Sequence, residues 1–74
     1  MDTLNLYQAK KTAKLMIISV PDVGLLNSLG LRPGVKVTVQ NRFSLGGPVL
    51  LRVEDTYSVA VGKDIAKQIG VTSV

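Results

Sequence analysis

Five side chains in this 74-residue chain carry a carboxylate: Asp2, Asp22, Glu54, Asp55 and Asp64. Carboxylates hold hard cations or move protons when two or three of them converge. Here they are scattered, and only Glu54 and Asp55 are adjacent. Neighbours on a strand point to opposite faces, so this pair shares a ligand only if a turn begins there. The chain contains neither His nor Cys. That removes the commonest general base, the usual transition-metal ligands and any disulfide or thiolate nucleophile. No Ser is followed by Lys three residues later. Gly46-Gly47-Pro48 lacks the Gly-Lys-Ser/Thr ending of a phosphate loop and leads into a strand, so it reads as a hairpin. We therefore expect no enzyme, no catalytic residue, no bound cofactor and no metal-ligand set. Weak divalent-cation binding is the most that these carboxylates suggest.

Cations outnumber anions, nine Lys and Arg against five Asp and Glu, for a net charge of +4. A charge of that size is ordinary for a small soluble domain, though it also suits an anionic partner. Lys10, Lys11 and Lys14 form a local basic cluster. A surface for single-stranded nucleic acid would normally add stacking aromatics. The chain has only Tyr7, Phe43 and Tyr57, which argues against nucleic acid as partner. Hydrophobic residues make up 46% and charged residues 19%, a globular composition. The length fits one domain, residues 1–74, with residues 1–11 as an N-terminal arm, and a stability of roughly 3–5 kcal/mol. The longest apolar run, Leu15-Met16-Ile17-Ile18, is far short of the ~20 residues a membrane span needs. The N-terminus does not read as a signal peptide. A cytoplasmic protein with no membrane-inserted segment is expected.

The elements that position these residues follow from periodicity. Leu4 and Tyr7 are placed to dock the arm. Residues 12–20 alternate with both faces largely apolar, which predicts a first strand that is central or covered on both sides. Pro21-Asp22 ends it, with Asp22 as N-cap of a short helix whose Leu25, Leu26 and Leu29 share a face. Gly30 stands where a helix ends in the left-handed region, and Leu31 follows as the closing hydrophobic contact. Arg32-Pro33-Gly34 fits a type II turn. A second strand follows, with Val35, Val37, Val39 and Asn41 on one face. Ser44-Leu45-Gly46-Gly47-Pro48 is a hairpin loop. Val49, Leu51 and Val53 face the core on the next strand, Asp55-Thr56 turns, and Tyr57, Val59 and Val61 alternate on another. Asp64 caps a single turn through Lys67, and Ile69-Gly70-Val71 closes the sheet.

The run Leu25-Leu26-Asn27-Ser28-Leu29-Gly30-Leu31-Arg32-Pro33-Gly34, followed by Val35-Lys36-Val37-Thr38-Val39, resembles the FeoA family. So do Gly46-Gly47-Pro48-Val49, Leu51-Arg52-Val53, the strand at 57–61, Asp64-Ile65-Ala66 and Ile69-Gly70-Val71. The likeness covers residues 4–71. It implies a mainly β fold: a small five-stranded SH3-like barrel with one short helix between the first and second strands. It also implies an accessory or regulatory role in ferrous-iron uptake, through protein–protein interaction with the cytoplasmic side of a FeoB-type membrane transporter. The same domain type closes iron- and manganese-dependent repressors. Two departures stand out. Gln8-Ala9-Lys10 replaces the family's first Pro-Gly turn, and Gly24, Asn27 and Ser28 stand in a helix that commonly carries Arg or Glu.

The expected partner surface is the exposed helix side at Val23, Asn27 and Ser28, with Arg32, and the loop around Ser44, Leu45 and Gly46. Leu25, Leu26, Leu29 and Leu31 are expected in the core. Gly30, Pro33 and Gly34 form a structural corner. Leu45 and Leu50 point to a partner patch or a homo-oligomer contact. The alternative readings are a basic nucleic-acid-binding barrel and a transition-metal-binding or metal-sensing domain.

Overall fold

The computed structural model describes residues 4–43 and 45–74. The elements in chain order are β1 (Leu4–Asn5), a 3-10 turn (Leu6–Gln8), β2 (Lys14–Ser19), α1 (Gly24–Ser28), β3 (Lys36–Arg42), β4 (Val49–Val53), β5 (Tyr57–Val61), α2 (Lys63–Ala66) and β6 (Gly70–Ser73). The strands form one six-stranded sheet in the order β1-β6-β2-β3-β4-β5. Every pairing is antiparallel.

This corrects the expected architecture in two respects. Among the described residues there are six strands rather than five, and two short α-helices rather than one. The hydrogen-bonded ladder also has two ends, β1 and β5, with no pairing between them among the described residues. The fold is SH3-like in its curled meander, without backbone closure.

The extra strand lies in the arm. Asn5 and Gln8 build a reciprocal cap: the Gln8 N–H donates to Asn5 Oδ1 at 3.0 Å, and the Asn5 N–H donates to Gln8 Oε1 at 3.1 Å. This box holds the 3-10 turn and aims Leu6 and Ala9 inward, where both are buried. Tyr7 is half-buried and packs against the core as expected, whereas Leu4 is exposed, so Leu6 and Ala9 rather than Leu4 complete the docking of the arm. The Leu6 N–H donates to Ile69 O at 2.8 Å and ties the arm to the chain entering β6.

β2 is central in the sheet, between β6 and β3. Only one of its faces is covered, however. Leu15 and Ile17 are buried, Met16 is half-buried and Ile18 is exposed. Among the described residues the two α-helices have only five and four residues, too short to roof the second face.

The corner after β2 holds two corrections and two agreements. The Val23 N–H donates to Pro21 O at 2.8 Å. That tight turn delays the helix, so Val23 rather than Asp22 is the N-cap, and no side chain caps it. Leu25 then falls in the first turn and points outward, 65% exposed, while Leu26 at 4% and Leu31 at 0% join the core. The helix end is as expected. Gly30 has φ +82°. Its N–H donates to Asn27 O at 3.1 Å, and the Leu31 N–H donates to Leu26 O at 2.9 Å. These two bonds make a Schellman cap, and only a residue at ease at positive φ suits its centre. Pro33-Gly34 closes a type II turn, with Gly34 at φ +94° and the Val35 N–H donating to Arg32 O at 3.1 Å.

Val37, Val39, Val49, Leu51 and Val53 supply the inward face of β3 and β4. A bulge between Val39 and Asn41 bends β3 and turns Asn41 away from that face. The next turn sits one residue earlier than expected. Glu54 and Asp55 are its central pair at φ +51° and +59°, and the Thr56 N–H donates to Val53 O at 2.9 Å. Two consecutive left-handed residues define a type I′ turn, which matches the twist of the strands it joins. Asp64 does not cap α2 either. Gly62 is its N-cap and makes no side-chain bond, and Asp64 lies in the first turn.

Candidate functional site

The expected partner residues separate into two places. Val23, Asn27 and Arg32 line one groove of about 420 Å³ together with Pro21, Leu26 and Pro33. The groove lies between α1 and the turn that leaves it. Its shape is set by the corner: the Schellman cap buries Leu31, and the type II turn swings Pro33 across the helix end. Ser28 is exposed on the same helix but is not part of the groove wall. Leu25 and Ile18 add exposed apolar surface that spacing alone had assigned to the interior.

Leu45 and Gly46 sit at the other end of β3. α1 precedes Lys36 and the hairpin loop follows Arg42, so the seven residues of β3 separate them, roughly 20 Å at the rise of a strand. One flat contact surface does not include both. Ser44 lies outside the described residues. Leu45 is fully exposed, at φ +61°. Leu50, expected on an outer face beside it, is half-buried.

A second cavity of about 280 Å³ lies between Lys14, Lys36, Glu54 and Asp55. The type I′ turn does bring the two carboxylates to one corner, which was the condition for a shared ligand. Glu54 is committed, however: its Oε2 accepts from the Lys36 N–H at 2.9 Å. Among the described residues, no group of three or more His, Cys, Asp or Glu converges to hold a metal ion. The donor set does not fit a transition metal.

One constellation was missed by sequence reasoning. The Tyr7 ring is surrounded by three cations. Arg42 lies 5.3 Å from its centroid, Lys63 5.7 Å and Lys67 5.8 Å. Arg42 also donates from Nη2 to the Tyr7 carbonyl oxygen. The 3-10 turn positions the ring, the end of β3 supplies Arg42, and α2 supplies Lys63 with Lys67 at its C-cap, four residues on. The Asn5…Gln8 box was the available signal for where Tyr7 points. Nothing in spacing could have linked residues so far apart in the chain.

The FeoA domain family matches residues 4–73. The chain belongs to the FeoA family. Solved structures agree on the fold of this FeoA domain. An iron uptake regulatory protein, FeoA, superposes with a TM-score of 0.88 at 23% identity, with both chains covered in full. A FeoA-like protein from Clostridium acetobutylicum gives 0.83 at 22% identity, covering all of this chain and 90% of that one. A manganese-dependent transcriptional repressor gives 0.88 at 17% identity. There the match covers 97% of this chain but only 42% of the repressor, so the FeoA domain corresponds to one part of a longer protein. No curated protein matches the chain in sequence. No helix among the described residues is long and apolar enough to cross a membrane.

Proposed function

We propose that the chain is a cytoplasmic accessory module of ferrous-iron uptake. It acts by binding, without catalysis, and its partner is the cytoplasmic part of a FeoB-type iron transporter. The observation that carries the reading is membership of the FeoA family over residues 4–73. The solved relative described as an iron uptake regulatory protein supports it. The contact we favour is the α1 groove. Val23 is exposed there beside the cation of Arg32 and the amide of Asn27, and Leu25 is exposed on the same helix outside the groove wall, a mix of apolar and polar groups of the kind that protein interfaces use. The loop at Leu45 lies too far along β3 to share that contact.

A nuclear magnetic resonance titration with the isolated cytoplasmic domain of such a transporter tests this reading. Amide shifts concentrated at Val23, Leu25, Asn27 and Arg32 are expected. Absence of any shift at high micromolar transporter domain refutes it. Shifts produced instead by generic duplex DNA, fading steeply with added salt, would favour the nucleic-acid alternative. The metal-sensing alternative draws on the repressor likeness, but the described residues lack a donor cluster for it.

A further inference from the structure

Arg42, Lys63 and Lys67 all lie within 6 Å of one point, the Tyr7 ring centroid. Three like charges gathered around one ring raise the positive potential at this end of the molecule. Among the described residues no carboxylate forms an ion pair with any of them. The ring face offsets part of the repulsion through its quadrupole, and a bound anion would offset the rest.

Next to this cluster stands a convex apolar tip. Leu45 is fully exposed and Phe43 is 48% exposed. The loop that carries them touches α2: a Cβ built on Gly46 would lie 3.8 Å from Lys63 Nζ. Apolar tip and cations therefore share one end of the molecule, opposite the α1 groove.

We infer that this end is a peripheral docking site for an anionic lipid surface, with Leu45 and Phe43 entering the interface and Arg42, Lys63 and Lys67 meeting headgroup phosphates. A free phosphate would answer the cations but gives no reason for a solvated leucine. Single-stranded nucleic acid needs open aromatic faces, and the Tyr7 ring is already occupied by cations. A folded protein partner needs a concave or flat match, whereas a protruding tip suits a surface that deforms around it. This contact is only side-chain deep and requires no spanning segment, so it narrows the sequence expectation of no membrane insertion to no membrane crossing.

Co-sedimentation of the whole chain with vesicles tests the proposal. Binding is expected to mixed phosphatidylglycerol–phosphatidylcholine vesicles and not to pure phosphatidylcholine. Lys63→Gln and Lys67→Gln should each weaken partitioning about fivefold, from the roughly 1 kcal/mol that one basic residue contributes near such a surface. Leu45→Ser should weaken it about tenfold or more. All three side chains lie outside the core, and thermal melts of the variants check that they fold. Lack of binding to anionic vesicles overturns the proposal. So does binding that Leu45→Ser leaves unchanged, or binding competed fully by millimolar inorganic phosphate, since either reduces the site to a phosphate pocket. Stronger binding to duplex DNA than to vesicles overturns it as well. The assay contains no transporter, so its outcome and that of the transporter titration are independent.

Discussion

Substitution of Gly30 by alanine is the sharpest probe of the corner between α1 and β3. Gly30 and Gly34 both have positive φ, +82° and +94°, so any Cβ pays a backbone cost of about 1–2 kcal/mol at either position. Their surroundings differ. A Cβ on Gly34 meets nothing within 4 Å, whereas one on Gly30 would fall inside 3.0 Å of the Tyr57 hydroxyl oxygen. That hydroxyl donates to Leu29 O at 2.6 Å, satisfying a carbonyl at the end of the helix. Gly30→Ala must therefore also displace Tyr57 and lose a hydrogen bond worth about 1 kcal/mol. We expect a cost of about 1–2 kcal/mol for Gly34→Ala and about 2–3 kcal/mol for Gly30→Ala, against a total near 3–5 kcal/mol. Urea denaturation followed by circular dichroism measures both. Tyr57→Phe supplies the decisive cycle. It removes the oxygen that clashes, so Gly30→Ala made in that background should cost only the backbone part, and the two changes should couple by about 1 kcal/mol. Equal costs for the two alanines, or coupling below about 0.3 kcal/mol, would refute the claim that Tyr57 makes the corner specific for glycine. The same contrast separates the valine variants. Gly30→Val should unfold the domain, and Gly34→Val should weaken it less.

Two further outcomes follow from burial and turn geometry. Leu31→Ala should cost about 2–4 kcal/mol and leave little folded protein at 37 °C, because Leu31 is fully buried. Leu25→Ser, on an exposed position of the same segment, should shift stability by less than about 0.5 kcal/mol. A thermal melt that ranks the two the other way would overturn the assignment of the α1 faces. Asp55→Gly should stabilise by about 0.5–1 kcal/mol, since glycine relieves the left-handed strain at the second central position of the type I′ turn; a lower melting temperature for that variant would contradict it.

Much of the sheet was legible because β strands with one wet face announce themselves by alternation. Val37, Val39, Val49, Leu51 and Val53 are all where that period puts them. The Gly30 cap and the Pro33-Gly34 turn were legible because their chemistry is local. The errors arise where backbone geometry, local in two cases and long-range in one, overrules the preference of a single side chain. Asp22 has a good capping side chain, but the Pro21 turn shifts the helix start past it. Leu25 sits at helical spacing from Leu29, yet the helix is too short to turn both inward. Glu54 reads as a strand residue until its carboxylate is seen bonded to the Lys36 backbone. The candidate site was less legible than the fold. Val23, Asn27 and Arg32 do share a groove, but the Tyr7 ring and its cations come from three separate elements, the 3-10 turn, β3 and α2, and carry no mark in the sequence.

The position of β6 has a kinetic consequence. It lies between β1 and β2, pairing Val71 with both Leu4 and Ile17. Those partners are 67 (71 − 4) and 54 (71 − 17) residues away along the chain. Long loops must close before either ladder repays its entropy, whereas β3, β4 and β5 need only short hairpins. The meander should therefore be the nucleus, with β6 zipping in after the rate-limiting barrier. Conservative truncations at Val39 or Leu51 should then slow folding, while those at Val71 should chiefly hasten unfolding. The arm, with its cation-ringed Tyr7, would be the last part to find its place, and the end of the molecule that it completes would exist only in the fully folded state.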